Sequence, residues 1–207
     1  MTSTNRKPHV VGISGTLRNG SKGLRALEEA LQAAEEDGAT TELLDLRELD
    51  LPMYEPGKLL EEYGASVERL VEAMRGADAL VWSTAAYHGT LAGVTKNALD
   101  FTQFMARDEK PYLQDKVVGL VATAGGGMAA VNAINAMVNV VHALRGVAAP
   151  LSVPIQQPWK AFDEDGNVRD EGVAKRLVAL GRLVVEMATK LGPGSEESDE
   201  RELRTVA

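Results

Sequence analysis

Between Gly12 and Ser21 the chain reads Gly-Ile-Ser-Gly-Thr-Leu-Arg-Asn-Gly-Ser, a run of hydroxyls, glycines and one arginine. An apolar run, His9 to Ile13, leads into it, and Leu24, Leu27, Leu31 and Ala34 then fall on one helical face. Strand, loop and helix in that order put backbone N–H groups and the positive end of a helix dipole at one turn, which is an anion site. Charge agrees. From Gly12 to Leu27 there is no Asp or Glu, whereas Arg18, Lys22 and Arg25 are basic, in a chain of net charge −8.

Spacing separates this turn from three better-known ones. Gly12, Gly15 and Gly20 do not make the G-x-G-x-x-G of a dinucleotide turn. Gly15 to Lys22 approaches a P-loop but ends Gly-Ser-Lys, the wrong order for G-K-[ST]. Ser14 is followed by Gly15 and Thr16, so G-x-S-x-G is not met and no nucleophile elbow is formed. What remains is a cup of hydroxyls and amides for a terminal phosphate, closed by Arg18.

The elements that must position this cup alternate along the chain. Strands are expected at 9–13, 40–46, 79–83, 116–123 and 147–153, with a first helix carrying the Leu24–Ala34 face and stopped by Gly38, and others over 65–75, from about Val94 to Met105, from the glycines at 125–127 to Arg145, and over 172–191. Parallel neighbours need crossover connections, so this pattern predicts an α/β fold: a five-stranded parallel sheet with helices on both faces. Ligands of such sheets sit beyond the carboxyl ends of the strands, at the switch in strand order. Residues 1–191 are expected to form that domain, and the acidic run from 192 to 207 a disordered tail.

Composition removes several chemistries. With no cysteine among 207 residues there is no disulfide, thiolate nucleophile or cysteine metal site, which fits a cytoplasmic protein. His9, His88 and His142 have no ligand spacing, so no metal is expected. Asp163, Asp165 and Asn167 imitate a calcium loop with the glycine misplaced, and read as a turn. The acidic balance opposes nucleic-acid binding. The longest charge-free run, 117–144, is broken by Gly125-Gly126-Gly127 and three asparagines and does not make a membrane span.

Two further loops fall at the carboxyl end of the sheet. One runs from Thr84 to Gly93, with small residues around Tyr87; the other, Thr123-Ala124-Gly125-Gly126-Gly127, bends around something or offers it amides. With these residues in view the chain resembles the NADPH-dependent FMN reductase family of flavodoxin-like proteins. Gly15-Thr16-Leu17-Arg18-Asn19-Gly20-Ser21 matches the family's G-S-x-R-x-x-S with Thr for the first Ser. Residues 85–100 are similar to its P-E-Y-N-G-S-x-P-G-x-x-K-N-A-L-D, with Ala85 and Ala92 in place of prolines, Ala86 in place of the acid and His88 in place of the asparagine.

The resemblance implies a flavodoxin-like three-layer sandwich that binds FMN, with NADPH or NADH as co-substrate. Ser14, Thr16, Arg18, Gly20 and Ser21 would hold the phosphate end; Ala85, Ala86, Tyr87, His88 and Gly89 would border the ring; Thr123, Gly125, Gly126 and Gly127 would lie near its polar edge. Hydride would pass to flavin N5 and then, by a ping-pong mechanism, to a small-molecule acceptor such as free flavin or a quinone. The flavin carries that chemistry, so no catalytic side chain is assigned. A non-enzymatic electron carrier and a sensor or scaffold are the alternatives. The helix from Met128 to Leu144 has no charged residue and a stripe of Asn132, Asn135, Asn139 and His142, which predicts a homodimer or homotetramer built on it.

Overall fold

In the computed structural model, which describes residues 6–192, five parallel strands form one sheet. They are β1 (His9–Gly15), β2 (Thr40–Asp45), β3 (Ala79–Tyr87), β5 (Val117–Ala124) and β6 (Val147–Gln156), ordered β2-β1-β3-β5-β6. The expected acidic tail from 193 onward lies outside the described residues. A sixth strand, β4 (Thr90–Leu91), was not expected; it pairs antiparallel with the end of β3, Ala86 with Leu91 and Tyr87 with Thr90.

Helix α1 (Lys22–Glu36) and α7 (Glu171–Leu191) cover one face. The other face carries α3 (Ala65–Gly76), α4 (Gly93–Asp100) and α5 (Gly127–Ala143), and the one-turn helices α2 (Leu46–Leu49) and α6 (Pro158–Ala161) sit in connections. Two cores result. Val11, Ile13, Leu80, Trp82, Val118 and Leu120 face α3 and α5, while Val10, Val81, Val117 and Val121 face α1 and α7. Successive strand residues alternate between the two cores, which is why β1, β3 and β5 read as nearly continuous apolar runs.

Three boundaries differ from expectation. β3 continues beyond Ser83 through Ala85-Ala86-Tyr87: Thr84 and Ala85 still pair within the sheet, and β4 gives Ala86 and Tyr87 a partner past it. β6 runs on to Gln156 through Pro150 and Pro154; as an edge strand it tolerates residues without an N–H. The helix expected to reach Met105 stops at Asp100 and tightens into a 3-10 turn, Phe101–Met105.

Candidate functional site

The order β2-β1-β3 on one side and β5-β6 on the other puts the switch between β1 and β3. The loops after β1, β3 and β5 therefore open at one place, and the register ties them together. Gly15 lies beside Thr84, and Ala85 lies beside Thr123.

Residues 16–21 form the first wall. Thr16 is nearly buried and its Oγ1 accepts from the Arg18 amide at 3.2 Å, which curls the chain after the strand. Gly20 has φ +63°, the left-handed conformation that lets the loop turn into α1. Ser21 is the N-cap: its Oγ accepts from the Gly23 amide at 3.1 Å and its own proton remains free to donate. The amides of Leu17, Asn19 and Gly20 donate to no described residue, and the Arg18 guanidinium has no partner among them. Lys22 and Arg25 do not join it. Lys22 donates to the Asp163 carbonyl at 2.6 Å and Arg25 pairs with Glu28, so of the three basic residues only Arg18 is left for an anion.

Under this loop sits a polar floor. Ser83 Oγ donates to the Gly23 carbonyl at 2.8 Å. Beside it in register, Ser14 is fully buried and its Oγ has no hydrogen-bond partner. A second pair, Thr84 and Thr95, joins hydroxyls at 2.8 Å; Thr95 also donates to the Gly15 carbonyl, and Thr84 accepts from the Ala92 amide. Gly15 is required here, since a Cβ on it would stand 2.2 Å from Thr95 Oγ1. These two threonines fasten the ends of β1 and β3 to the start of α4, and the chain pattern alone gave no sign of them beyond two hydroxyls eleven residues apart.

The second wall is a hairpin, where an open loop was expected. His88 and Gly89 connect β3 to β4 with φ +50° and +88°, positive at both central positions as in a type I′ turn. Ala85 and Ala86 are half-buried along it, and Tyr87 stands out into solvent. Further on, the Lys-Asn-Ala-Leu-Asp stretch is structural. Asn97 accepts from the Tyr54 amide and donates to the Pro52 carbonyl, while Lys96 pairs with Asp100.

The third wall is Thr123 to Gly127. Gly126 caps α5 without any side chain, and Gly127 lies against the Gln156 amide, 2.5 Å from where a Cβ would be. Trp159 rests beside Gly125. Sequence reasoning had not placed Trp159 at the site; its only signal was a large aromatic in a polar stretch directly after the last strand. A separate shallow pocket, lined by Leu44, Asp45, Glu48 and Arg69, shares no residue with the three loops.

The Asp163–Asn167 segment is a turn, as its residue pattern predicts. Asp163 accepts from the Asn167 amide and side chain, bonds that hold its carboxyl below the usual carboxylate range. Among the described residues no cluster of His, Asp and Glu could hold a metal ion.

The residues present fit FMN. An unpaired cation, unpaired amides, a left-handed glycine and an orphaned buried hydroxyl meet at the start of a capped helix, which is what a phosphate monoester needs. A sequence model of the NADPH-dependent FMN reductases matches residues 8–160. An NAD(P)H-dependent FMN reductase of Pseudomonas aeruginosa is 37% identical over 116 residues, 56% of this chain and 60% of that protein. An NADPH azoreductase of Bacillus sp. (strain OY1-2) is 32% identical over 73% of this chain and 83% of its own length. Among solved structures, FerB, a flavoenzyme NAD(P)H:(acceptor) oxidoreductase from Paracoccus denitrificans, superposes with a TM-score of 0.71 at 25% identity, covering 89% of this chain and 99% of that one. The chain belongs to the NADPH-dependent FMN reductase family, oxidoreductases that work with FMN and a reduced nicotinamide nucleotide.

Proposed function

We propose that this chain is an FMN-dependent NAD(P)H oxidoreductase that reduces a small acceptor, free flavin, a quinone or a similar compound, by a ping-pong mechanism. The observation that carries the reading is the loop 16–21, where the Arg18 guanidinium and the amides of Leu17, Asn19 and Gly20 have no partner among the described residues beside the capped start of α1, with the orphaned Ser14 hydroxyl buried at the end of the strand that leads into it. FMN, when bound, would supply the redox chemistry, hydride transfer from a reduced nicotinamide to a second substrate. The protein's part is to hold and orient. Arg18 neutralises phosphate charge, Ser21 and Ser14 donate hydroxyl protons to it, and the Thr84–Thr95 pair fixes the loop so that these donors are already aimed. Tyr87, His88 and Gly89 would border the ring, and Gly125 to Gly127 would lie near its polar edge.

Double-reciprocal plots of NADPH oxidation at several quinone concentrations test the mechanism. Parallel lines are expected, because both substrates use one site in turn; intersecting lines would point to a ternary complex. An FMN-loaded protein that oxidises NADPH only slowly with every acceptor tried would make it an electron carrier.

The same reading includes assembly and place. α5 turns Ala130, Ala133, Ile134, Met137 and Val141 inward and leaves Met128, Val131, Asn132, Asn135, Asn139 and His142 exposed. That outward face has no charge, and a second copy related by a two-fold axis would cover it with itself. Light scattering of Asn139→Arg tests it: the wild type should be a dimer or tetramer and the variant should dissociate, whereas an intact assembly would put the interface elsewhere. No described helix is long and apolar enough to cross a membrane, and the absence of cysteine suits the cytoplasm, where reduced nicotinamide is abundant.

A further inference from the structure

Nine large apolar side chains are exposed among the described residues, and four of them lie at the carboxyl ends of β1, β3, β5 and β6 or within four residues after them: Leu17, Tyr87, Met128 and Trp159. The site therefore has an apolar collar. Trp159 is its largest member, 62% exposed, with its six-membered ring 3.6 Å from where a Cβ on Gly125 would lie. The indole is held there by a fixed turn. The Gln157 amide donates to the Ala124 carbonyl at 2.8 Å, Gln157 adopts φ +45°, and the Lys160 amide closes the turn on the Gln157 carbonyl at 2.7 Å. A rigid aromatic face exposed at the mouth of a ligand site is an unfavourable use of surface unless something flat covers it.

The charge around it is equally biased. Residues 14–27, 84–99, 123–145 and 156–162 contain no Asp or Glu, although the chain has 30. A cationic ligand would find no counter-charge in any of these stretches. Of the basic residues in these stretches, Lys22, Arg25 and Lys96 are already paired inside the chain and Arg145 lies beyond the far end of α5, which leaves Arg18 and Lys160 to a neutral or anionic ligand.

We propose that Trp159, seated on Gly125, is the stacking platform of a subsite for the second substrate, and that this substrate is a planar aromatic acceptor, neutral or anionic. The proposal rests on the oxidoreductase reading above and names the acceptor class for it. Trp159 determines specificity; it takes no part in electron transfer. The indole offers a flat, poorly hydrated face next to the glycine loop, so an extended aromatic acceptor gains stacking there that a compact inorganic acceptor does not.

Two measurements test it. The first is the ratio of kcat/KM for 1,4-naphthoquinone-2-sulfonate to that for ferricyanide, in FMN-loaded wild type, Trp159→Ala and Trp159→Phe. The ratio should fall about tenfold in the alanine variant and return most of the way in the phenylalanine variant. A merely structural role would lower both acceptors together and leave the ratio where it was, which would overturn the proposal. The second is calorimetric titration of the FMN-loaded protein with the same naphthoquinone and no nicotinamide present. Affinity should drop about tenfold in Trp159→Ala, and this holds even if the protein turns over no acceptor, so failure of the subsite and failure of the reductase reading are told apart. Unchanged affinity, or a loss confined to FMN binding, would refute the platform.

Discussion

The two ends of the sheet are built on opposite terms. At the amino end the charged groups close on one another. Lys116, just before β5, donates to the carbonyls of Arg75 and Ala77, and burial pushes its pKa below the usual lysine value against the pull of Asp78. Asp78, just before β3, accepts from the His9 amide at 2.7 Å and from Arg6. Arg75 meets Asp108, Glu72 and the Phe104 carbonyl, with Asp108 the main cause of its raised pKa. At the carboxyl end the same kinds of group are left open among the described residues: a guanidinium without an acid, amides without carbonyls, a buried hydroxyl without a partner. One end spends its polar groups on stability and the other reserves them for a ligand.

That contrast is broken most forcefully from the closed end. Lys116→Met removes the donor from two carbonyls at the amino edge and should lower unfolding free energy by about 2–4 kcal/mol, read by urea denaturation. FMN affinity, measured where the variant is still folded, should stay within twofold of wild type. A large loss of affinity with little loss of stability would mean the two ends are coupled. At the open end the signs reverse. Arg18→Ala should leave the urea midpoint unmoved, because the guanidinium has no partner among the described residues to lose. Its effect is on the ligand: a charge-assisted contact of roughly 1.5–3 kcal/mol corresponds to about a ten- to hundredfold rise in the FMN dissociation constant.

Ser14→Ala sharpens the comparison, since it tests a group that is buried as deeply as any in the core. A hydroxyl held in the interior without a partner costs stability, so its removal should leave the apo-protein as stable or stabilise it by up to about 1 kcal/mol. FMN binding should weaken roughly three- to tenfold at the same time. Thermal melts with and without FMN read both effects in one experiment. A destabilised apo-protein would show that Ser14 has a structural partner and would withdraw it from the phosphate site.

The phosphate loop was legible in the sequence because its signal is local: glycines, hydroxyls and Arg18 within ten residues and no acid nearby. The order of strands and helices was legible for the same reason, from apolar runs alternating with helical stripes. What was hidden depends on partners far along the chain. Lys22 looks like an anion ligand until the 163–167 turn folds back beside α1 and its Asp163 carbonyl takes the ammonium, whereas Arg25 is taken locally, by Glu28 one turn along the same helix. The Thr84–Thr95 pair needs α4 to fold over the end of β1. The end of β3 is hidden because Ala85-Ala86-Tyr87 lacks the β-branched residues that mark a strand, and its extension is supplied by pairing, with β5 as far as Ala85 and with β4 beyond it. The turn between them was obscured by a single residue, His88, standing where an asparagine would have announced it.

His88 therefore gives the smallest effect and the finest test of the contrast. It holds φ +50° with no hydrogen bond from its imidazole to any described residue, ahead of Gly89 at +88°. Side chains other than glycine resist the left-handed region, and asparagine resists it least, because its short amide hydrogen-bonds locally. If the hairpin followed the rule of the amino end, this position would already be optimised, and His88→Asn would gain nothing. A ligand wall need not be optimised for its own stability, and strained backbone is tolerated where a site uses it. The substitution should therefore raise the urea midpoint, by about 0.5 kcal/mol of unfolding free energy at an unchanged slope. Holding FMN-loaded and apo-protein side by side separates the two causes. A gain in both states comes from relief of the turn alone. A gain in apo-protein that disappears when FMN is bound means that the imidazole contributes to the ligand what it costs the hairpin, and that His88 stands at the ring. A loss in both states would show that the turn already suits histidine, and the strain at this wall would be absent.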